Sequence, residues 1–209
     1  MIKQKKVGSI LNKFIPQGST IGIIGGGQLG QMMALDAKQT GMKVIILDPT
    51  PNCPAGQVAD EQIVAPYADT KAIEKLADKA DVLTYEFENV DLNALEDVQD
   101  RVYLPQGTNL LYTTKNRLRE KNFLRQAGVK TAPFMVVHTS AELKDAVKKI
   151  GYPAVLKTSE GGYDGHGQEV LRNKDDLDKC APILATGDCI LEGWVPFNRE
   201  CSVMVGRNE

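Results

Sequence analysis

Residues 20–48 read TIGIIGGGQLGQMMALDAKQTGMKVIILD. A short apolar run, Thr20–Ile24, leads directly into Gly25-Gly26-Gly27-Gln28-Leu29-Gly30. A helical stretch over Gln28–Gln39 follows, closed by Gly41, and a second apolar run, Lys43–Leu47, stops at Asp48. Strand, glycine turn, helix and strand make a βαβ unit, whose two strands run parallel. Outward from it, Gln62–Ala65 reads as a third strand and Thr70–Lys79 as a helix. Asp81–Tyr85 reads as a fourth strand with Glu86 at its end, and Val102–Leu104 as a fifth. The first half is therefore an α/β, doubly wound parallel sheet, in which ligands sit at the carboxyl ends of the strands.

The second half has a different rhythm. Thr114–Ala127 is a charged helix stopped by Gly128, and Phe134–Val137 is a strand. Thr139 caps a helix, with Glu142 three residues on as a capping box and Gly151 at the end. Pro153–Lys157 and Glu169–Leu171 are strands flanking the glycine loop Gly161–Gly167. Asp175–Leu184 reads as helical, and Cys189–Glu192 and Glu200–Val205 as further strands. This is an α+β lobe. Upstream, Val7, Ile10, Leu11 and Phe14 fall at helical spacing and predict a lead-in helix over 2–15, ended by Pro16 and Gly18. The expected division is an extension over 1–18, a first domain over 19–115 and a second over 116–209. The strand at Glu200–Val205 is followed by a turn-like Gly206-Arg207-Asn208-Glu209 and has no partner strand after it. The second lobe is thus expected to be incomplete at its C-terminus, and the chain to be part of a longer protein.

Composition excludes several classes. Lys+Arg 25 against Asp+Glu 27 gives net −2, so no global basic field addresses nucleic acid. The apolar runs fall far short of the ~18–20 residues that span a bilayer. Residues 1–19 lack the continuous apolar core of a signal peptide. A cytoplasmic protein without membrane contact is expected. Cys53, Cys180, Cys189 and Cys201 form no Cys-x-x-Cys pair and read as reduced thiols in packing or surface positions. With His138 and His166 the only histidines, a zinc or histidine metal site is not expected.

Three segments carry chemistry. Gly25-x-Gly27-x-x-Gly30 matches a dinucleotide fingerprint in the right strand–turn–helix setting, and the helix start offers N–H groups to an anion. Asp48, 18 residues after Gly30, stands where an acid accepts ribose hydroxyls. The same turn also suits a substrate phosphate, or only a tight bend. Past the fourth strand, Glu86 and Glu88 are placed for ribose hydroxyls or an amine, or as solvated loop acids. Lys157 ends an apolar strand and is followed by Thr158-Ser159-Glu160-Gly161-Gly162-Tyr163-Asp164-Gly165-His166-Gly167-Gln168. Four glycines in seven residues behind a lysine make a loop able to fold its N–H groups over phosphates. It lacks the Gly-Lys-Ser/Thr ending of a P-loop. Glu192-Gly193-Trp194-Val195 pairs an acid with exposed backbone, which suits an adenine amino group, although Trp194 would serve equally as core.

Together these residues resemble the ATP-grasp superfamily and, within it, the N5-carboxyaminoimidazole ribonucleotide synthases. The resemblance runs over residues 20–209. It is carried by Gly25–Gly30, Asp48-Pro49, Gln57-Val58-Ala59-Asp60, Tyr85-Glu86-Phe87-Glu88-Asn89, and Lys157 before Gly161–Gln168. It implies a pre-ATP-grasp domain followed by an ATP-grasp lobe. It also implies attack of bicarbonate on the γ-phosphate of ATP, then carboxylation of the exocyclic amine of 5-aminoimidazole ribonucleotide. By the same resemblance, Arg117 and Lys157 hold phosphates, and Gly162, Tyr163, Asp164, Gly165, His166, Gly167 and Gln168 form a lid. Glu192, Gly193, Trp194 and Val195 face adenine, and Glu200 the ribose. Gly27, Gln28 and Leu29, with Glu86, Tyr163 and Asp164, face the aminoimidazole nucleotide; Lys157 and Asp164 are the catalytic candidates. His166 stands where the family carries Arg or Lys. Mg²⁺ is implied as cofactor with ligands in the missing C-terminal part and no metal site within this chain, and a homodimer is implied as well. The alternatives are a sibling ligase such as the formate-dependent glycinamide ribonucleotide transformylase or biotin carboxylase, a nucleotide-binding piece without turnover, and an NAD-dependent oxidoreductase.

Overall fold

The computed structural model describes residues 14–162, 166–203 and 205. The lead-in helix expected over 2–15 therefore lies almost wholly outside the described residues; Phe14 and Ile15 are not helical. The chain divides into two compact units, with the break between Leu111 and Tyr112.

In the first unit β1 (Thr20–Ile24), β2 (Lys43–Asp48), β3 (Glu61–Val64) and β4 (Val82–Tyr85) form a parallel sheet in the order β3-β2-β1-β4. Helices α1 (Gln28–Gln39), α2 (Thr70–Lys79) and α3 (Leu92–Val98) connect and cover it. Side chains alternate faces along a strand, and here both faces are apolar. Ile24, Ile45, Leu47, Ile63, Leu83 and Tyr85 pack into one core with α2 and α3. Ile23, Val44 and Ile46 pack into another with Ala34 of α1. Burial on both faces explains the near-continuous apolar runs of β1 and β2. Each fully buried Ile or Leu contributes about 1.5–3 kcal/mol. Asp69 and Asp91 cap α2 and α3 by accepting from Ala72 N at 3.0 Å and Ala94 N at 2.9 Å. The expected fifth strand shrinks to a single parallel bridge between Val82 and Tyr103.

The second unit opens with α4 (Asn109–Thr114), which bridges the division, and α5 (Arg117–Gln126). Its sheet is antiparallel, with β5 (Phe134–Val137), β6 (Ala154–Thr158), β7 (Gln168–Leu171) and β8 (Cys189–Gly193) in the order β5-β8-β6-β7. α6 (Ser140–Ile150) packs on one face through Leu143, Ala146 and Val147, which meet Val137, Ala154, Leu156, Leu171 and Leu191. The helical stretch near 175–184 splits into a 3-10 segment, Lys174–Cys180, and α7 (Ala181–Leu184).

Two expectations need correction. Thr139 accepts from Glu142 N at 3.2 Å, but the Glu142 carboxylate returns to His138 N, not to Thr139 N. The strand expected at Glu200–Val205 is absent among the described residues 200–203 and 205, which are irregular and exposed. A strand needs a free edge to pair with. Both edges of β8 are taken by β5 and β6, and the segment joins neither outer strand.

Candidate functional site

The first unit gathers its polar groups where β1, β2 and β4 end. The glycine turn leaves β1, and α1 starts behind it with Gly27 as an N-cap that lends no side chain. The first N–H groups of any α-helix lack intrahelical partners. Gln28 and Leu29 are exposed at this end. Glu86, just past β4, lies against the turn. A Cβ on Gly25 would sit 2.4 Å from Glu86 Cγ, and one on Gly27 3.5 Å from Glu86 Oε1. Burial pushes the Glu86 carboxyl above its usual range, and the negative charge of Asp48 adds to this. Gly27, Gln28, Leu29 and Glu86 thus lie around one glycine turn.

Asp48 does not stand free for a ribose. It is 4% exposed. It accepts from Gly26 N at 2.7 Å, from Thr50 N at 2.8 Å and from the Tyr67 hydroxyl. Burial alone would raise its carboxyl; those hydrogen bonds outweigh burial and hold it below its ordinary 3.8. Its carboxylate ties the turn, through Gly26, to Thr50 and Tyr67, and in this arrangement it serves structure rather than a ribose hydroxyl. Beneath the turn, Cys53 is buried so close that a Cβ on Gly26 would meet its Sγ at 2.3 Å. Burial pushes that thiol up as well. Of the Gln57–Asp60 motif, Asp60 accepts from Val44 N at 2.8 Å and from Lys38, so it ties structure together at the far side of β2.

The second unit assembles a polar face on its sheet. Register pairs Val155 with Glu192, Lys157 with Ile190 and Phe134 with Glu192. These side chains share the face opposite α6. Lys157 Nζ donates to Glu192 Oε2 at 3.0 Å. Glu192 is only 7% exposed. Gly193 N donates to Pro133 O at 2.8 Å and Trp194 N to Pro153 O at 3.2 Å, which fixes the backbone beyond the acid. Trp194 and Val195 are exposed, so Trp194 is not core. Glu200 is exposed on the irregular segment beyond β8.

Arg117 sits at the base of the glycine loop. Its guanidinium donates to Thr158 O at 2.8 Å and Gly162 O at 2.7 Å, and its backbone N–H to Ser159 O at 2.9 Å. Thr158 N donates to Gly167 O at 2.9 Å, closing the loop. A Cβ on Gly162 or Gly167 would press on Thr158 Oγ1 at 3.0 or 2.8 Å. A cavity of about 580 Å³ opens beside this base, lined by Asn116, Thr158, Ser159, Gly161 and Asp188 among others. Of the remaining lid candidates, His166 and Gln168 are exposed, and Tyr163, Asp164 and Gly165 lie outside the described residues. Among the described residues no three His, Cys, Asp or Glu side chains gather into a metal-binding group. Lys121 and Tyr67 escaped the sequence reading. Lys121 had no motif around it, and Tyr67 is distant in sequence from the Asp48 it serves.

Two family descriptions match the chain. The ribonucleotide synthetase preATP-grasp domain covers residues 18–112, and the ATP-grasp domain covers residues 122–209. A Bacillus subtilis N5-carboxyaminoimidazole ribonucleotide synthase is 52% identical over 196 residues, 94% of this chain and 52% of that protein. The chain is similar to N5-carboxyaminoimidazole ribonucleotide synthases along the part of them that it spans, and it carries a preATP-grasp domain followed by ATP-grasp sequence. A Staphylococcus aureus synthase is 43% identical over 91% of this chain and 51% of its own length. An ADP complex of an N5-carboxyaminoimidazole ribonucleotide synthetase superposes with a TM-score of 0.85 at 51% identity, covering 90% of this chain and 50% of that one. An Aspergillus clavatus synthase, solved with ADP and 5-aminoimidazole ribonucleotide, gives 0.79 at 30% identity, covering 87% and 48%. The chain therefore spans about half the length of the curated relatives it matches. Both glycine segments that carry the resemblance, Gly25–Gly30 and the described residues of Gly161–Gln168, follow strand ends.

Proposed function

We propose that this chain supplies the aminoimidazole-nucleotide domain and the nucleotide-holding lobe of an ATP- and bicarbonate-dependent ligase. That ligase converts 5-aminoimidazole ribonucleotide to its N5-carboxy derivative in purine biosynthesis. Bicarbonate oxygen attacks the γ-phosphorus of ATP and ADP leaves. Carboxyphosphate, or CO2 released from it, then takes the lone pair of the exocyclic amine, giving the carbamate and phosphate. The observation that carries the reading is Lys157 at the end of β6, paired with buried Glu192 beside a glycine loop whose base Arg117 clamps. Phosphoryl transfer depends mainly on positioning and charge neutralisation. Lys157 and Arg117 are the cations for that task, Gly162–Gln168 the cover that keeps water off a labile acyl phosphate, and Glu192–Val195 the adenine edge. Glu200 is kept as the ribose ligand only by resemblance. In the first unit Gly27, Gln28, Leu29 and Glu86 are proposed to hold the aminoimidazole nucleotide.

The ligands of Mg²⁺ are proposed to lie in the half of the relatives that this chain does not span. Turnover is proposed to need that half too, so the chain alone binds without reacting. A homodimer in the cytoplasm is proposed on the family resemblance.

A thermal-shift panel with ATP, aminoimidazole ribonucleotide and NADH tests the reading. A ligand at 100 times its Kd adds ~2.7 kcal/mol to the folded state. At ~2–4 °C per kcal/mol that is a Tm rise of roughly 5–10 °C. A rise with the aminoimidazole nucleotide, and with ATP, is expected. A rise with NADH alone overturns the ligase reading.

A further inference from the structure

Glu192 holds two lysines, one on each carboxylate oxygen. Lys157 Nζ is 3.0 Å from Oε2, and Lys121 Nζ, from α5, is 3.2 Å from Oε1. The two cations are not equivalent. The Lys121 side chain is 15% exposed and that of Lys157 26%. The Lys121 ammonium also lies 5.7 Å from the centroid of the Phe134 ring, and Phe134 is the register partner of Glu192. Ring and carboxylate therefore hold Lys121 from two sides. Lys157, at the strand end before the glycine loop, is the cation with room to turn.

A buried carboxylate left without a partner is strongly disfavoured. With Lys157 as its sole partner, Glu192 would resist giving that lysine to a nucleotide. With two partners it can release one and stay compensated. We propose that Lys121 is a positioning residue for nucleotide binding: it keeps Glu192 paired while Lys157 turns to a phosphate of the nucleotide. This rests on the reading of Lys157 as a phosphate ligand. Lys121 touches no reacting atom in this scheme; its effect appears only for ligands that carry phosphates.

The test is calorimetric titration of this chain with ADP and, separately, with adenosine, which makes no demand on Lys157. Lys121→Met should weaken ADP by at least about tenfold, which is ~1.4 kcal/mol. Adenosine affinity should stay within a factor of about two. Lys121→Arg should restore most of the ADP affinity, because it returns the charge. In a Lys157→Met background, where ADP has lost its lysine, adding Lys121→Met should cost ADP almost nothing more. Thermal melts establish folding, and Lys121→Gln replaces Lys121→Met if the latter does not fold. Equal losses for ADP and adenosine overturn the inference and make Lys121 a support of the adenine face. An unchanged ADP affinity in Lys121→Met overturns it as well. If the unaltered chain binds no ADP, the nucleotide reading itself falls, and this inference with it.

Discussion

Each unit of the chain carries a glycine segment behind a strand, and the two are anchored by charges of opposite sign. Behind β1, Asp48 reaches up from the end of β2 and takes the Gly26 N–H. Behind β6, Arg117 takes the carbonyls of Thr158 and Gly162. The first turn is also packed from below by Cys53 and crossed by its own helix, where a Cβ on Gly30 would meet Gly25 O at 2.2 Å. In the second segment, a Cβ on Gly161 would meet nothing within 4 Å. Similar composition thus yields a rigid seat in one unit and a loop clamped at its base by a cation in the other. A buried anion consumes backbone donors, as Asp48 does at Gly26; a half-buried cation consumes backbone carbonyls, as Arg117 does at Thr158 and Gly162.

Gly30→Ala strikes this contrast hardest. Backbone would have to move, and a cost of about 3 kcal/mol is expected, read as a fall in Tm of roughly 6–12 °C. ADP affinity of the second unit should survive. A variant as stable as the parent would mean the turn is not the rigid seat described.

Asp48→Asn comes next. Losing charge on a buried acceptor of three hydrogen bonds should cost about 2 kcal/mol near neutral pH. The sign of the pH dependence follows from a carboxyl held below its unfolded value of 3.8. Its stabilisation is present above 3.8 and is lost as pH falls through the lower folded value. Urea unfolding from pH 6 downward should show the gap between parent and variant closing on the acid side. The same variant should bring the Glu86 titration down, since the Asp48 charge is the second cause of its rise after burial. Carbon-detected NMR of that carboxyl would read it; no movement would remove the electrostatic link.

Lys157→Ala and Gln28→Ala form a crossed pair. The first should weaken ATP by about tenfold, ~1.4 kcal/mol, and leave the aminoimidazole nucleotide alone; the second should do the reverse. Equal loss of both ligands in either variant, by calorimetry, would contradict two separate sites.

The smallest effect is expected at Gly161→Ala. Its φ is +73°, so a side chain is strained there although space is open. A cost of about 1 kcal/mol is expected, well below that of Gly30→Ala. Reversal of that order in chemical unfolding would break the comparison.

Local pattern made much of this legible. β1, α1 and α2 occupy the residues that apolar runs, glycine punctuation and helical period predict, because those signals are set by neighbours in sequence. α3 was missed despite its Asp91 cap and the spacing of Leu92, Leu95 and Val98, a signal only two turns long. Glu200–Val205 misled, because an apolar alternation states a preference while pairing requires an open edge.

The sequence by itself determined the two-part architecture, the glycine segments at their strand ends and the family to which they point. Each of those is written in residues close together along the chain. Tertiary structure alone decided what the charges do. Asp48 became the anchor of the turn, with Tyr67 brought to it across 19 positions. Lys121, Glu192 and Lys157 became one ion triad through a helix and two strands. A carboxylate's role depends on which donors reach it and how much water remains, and only folding sets both.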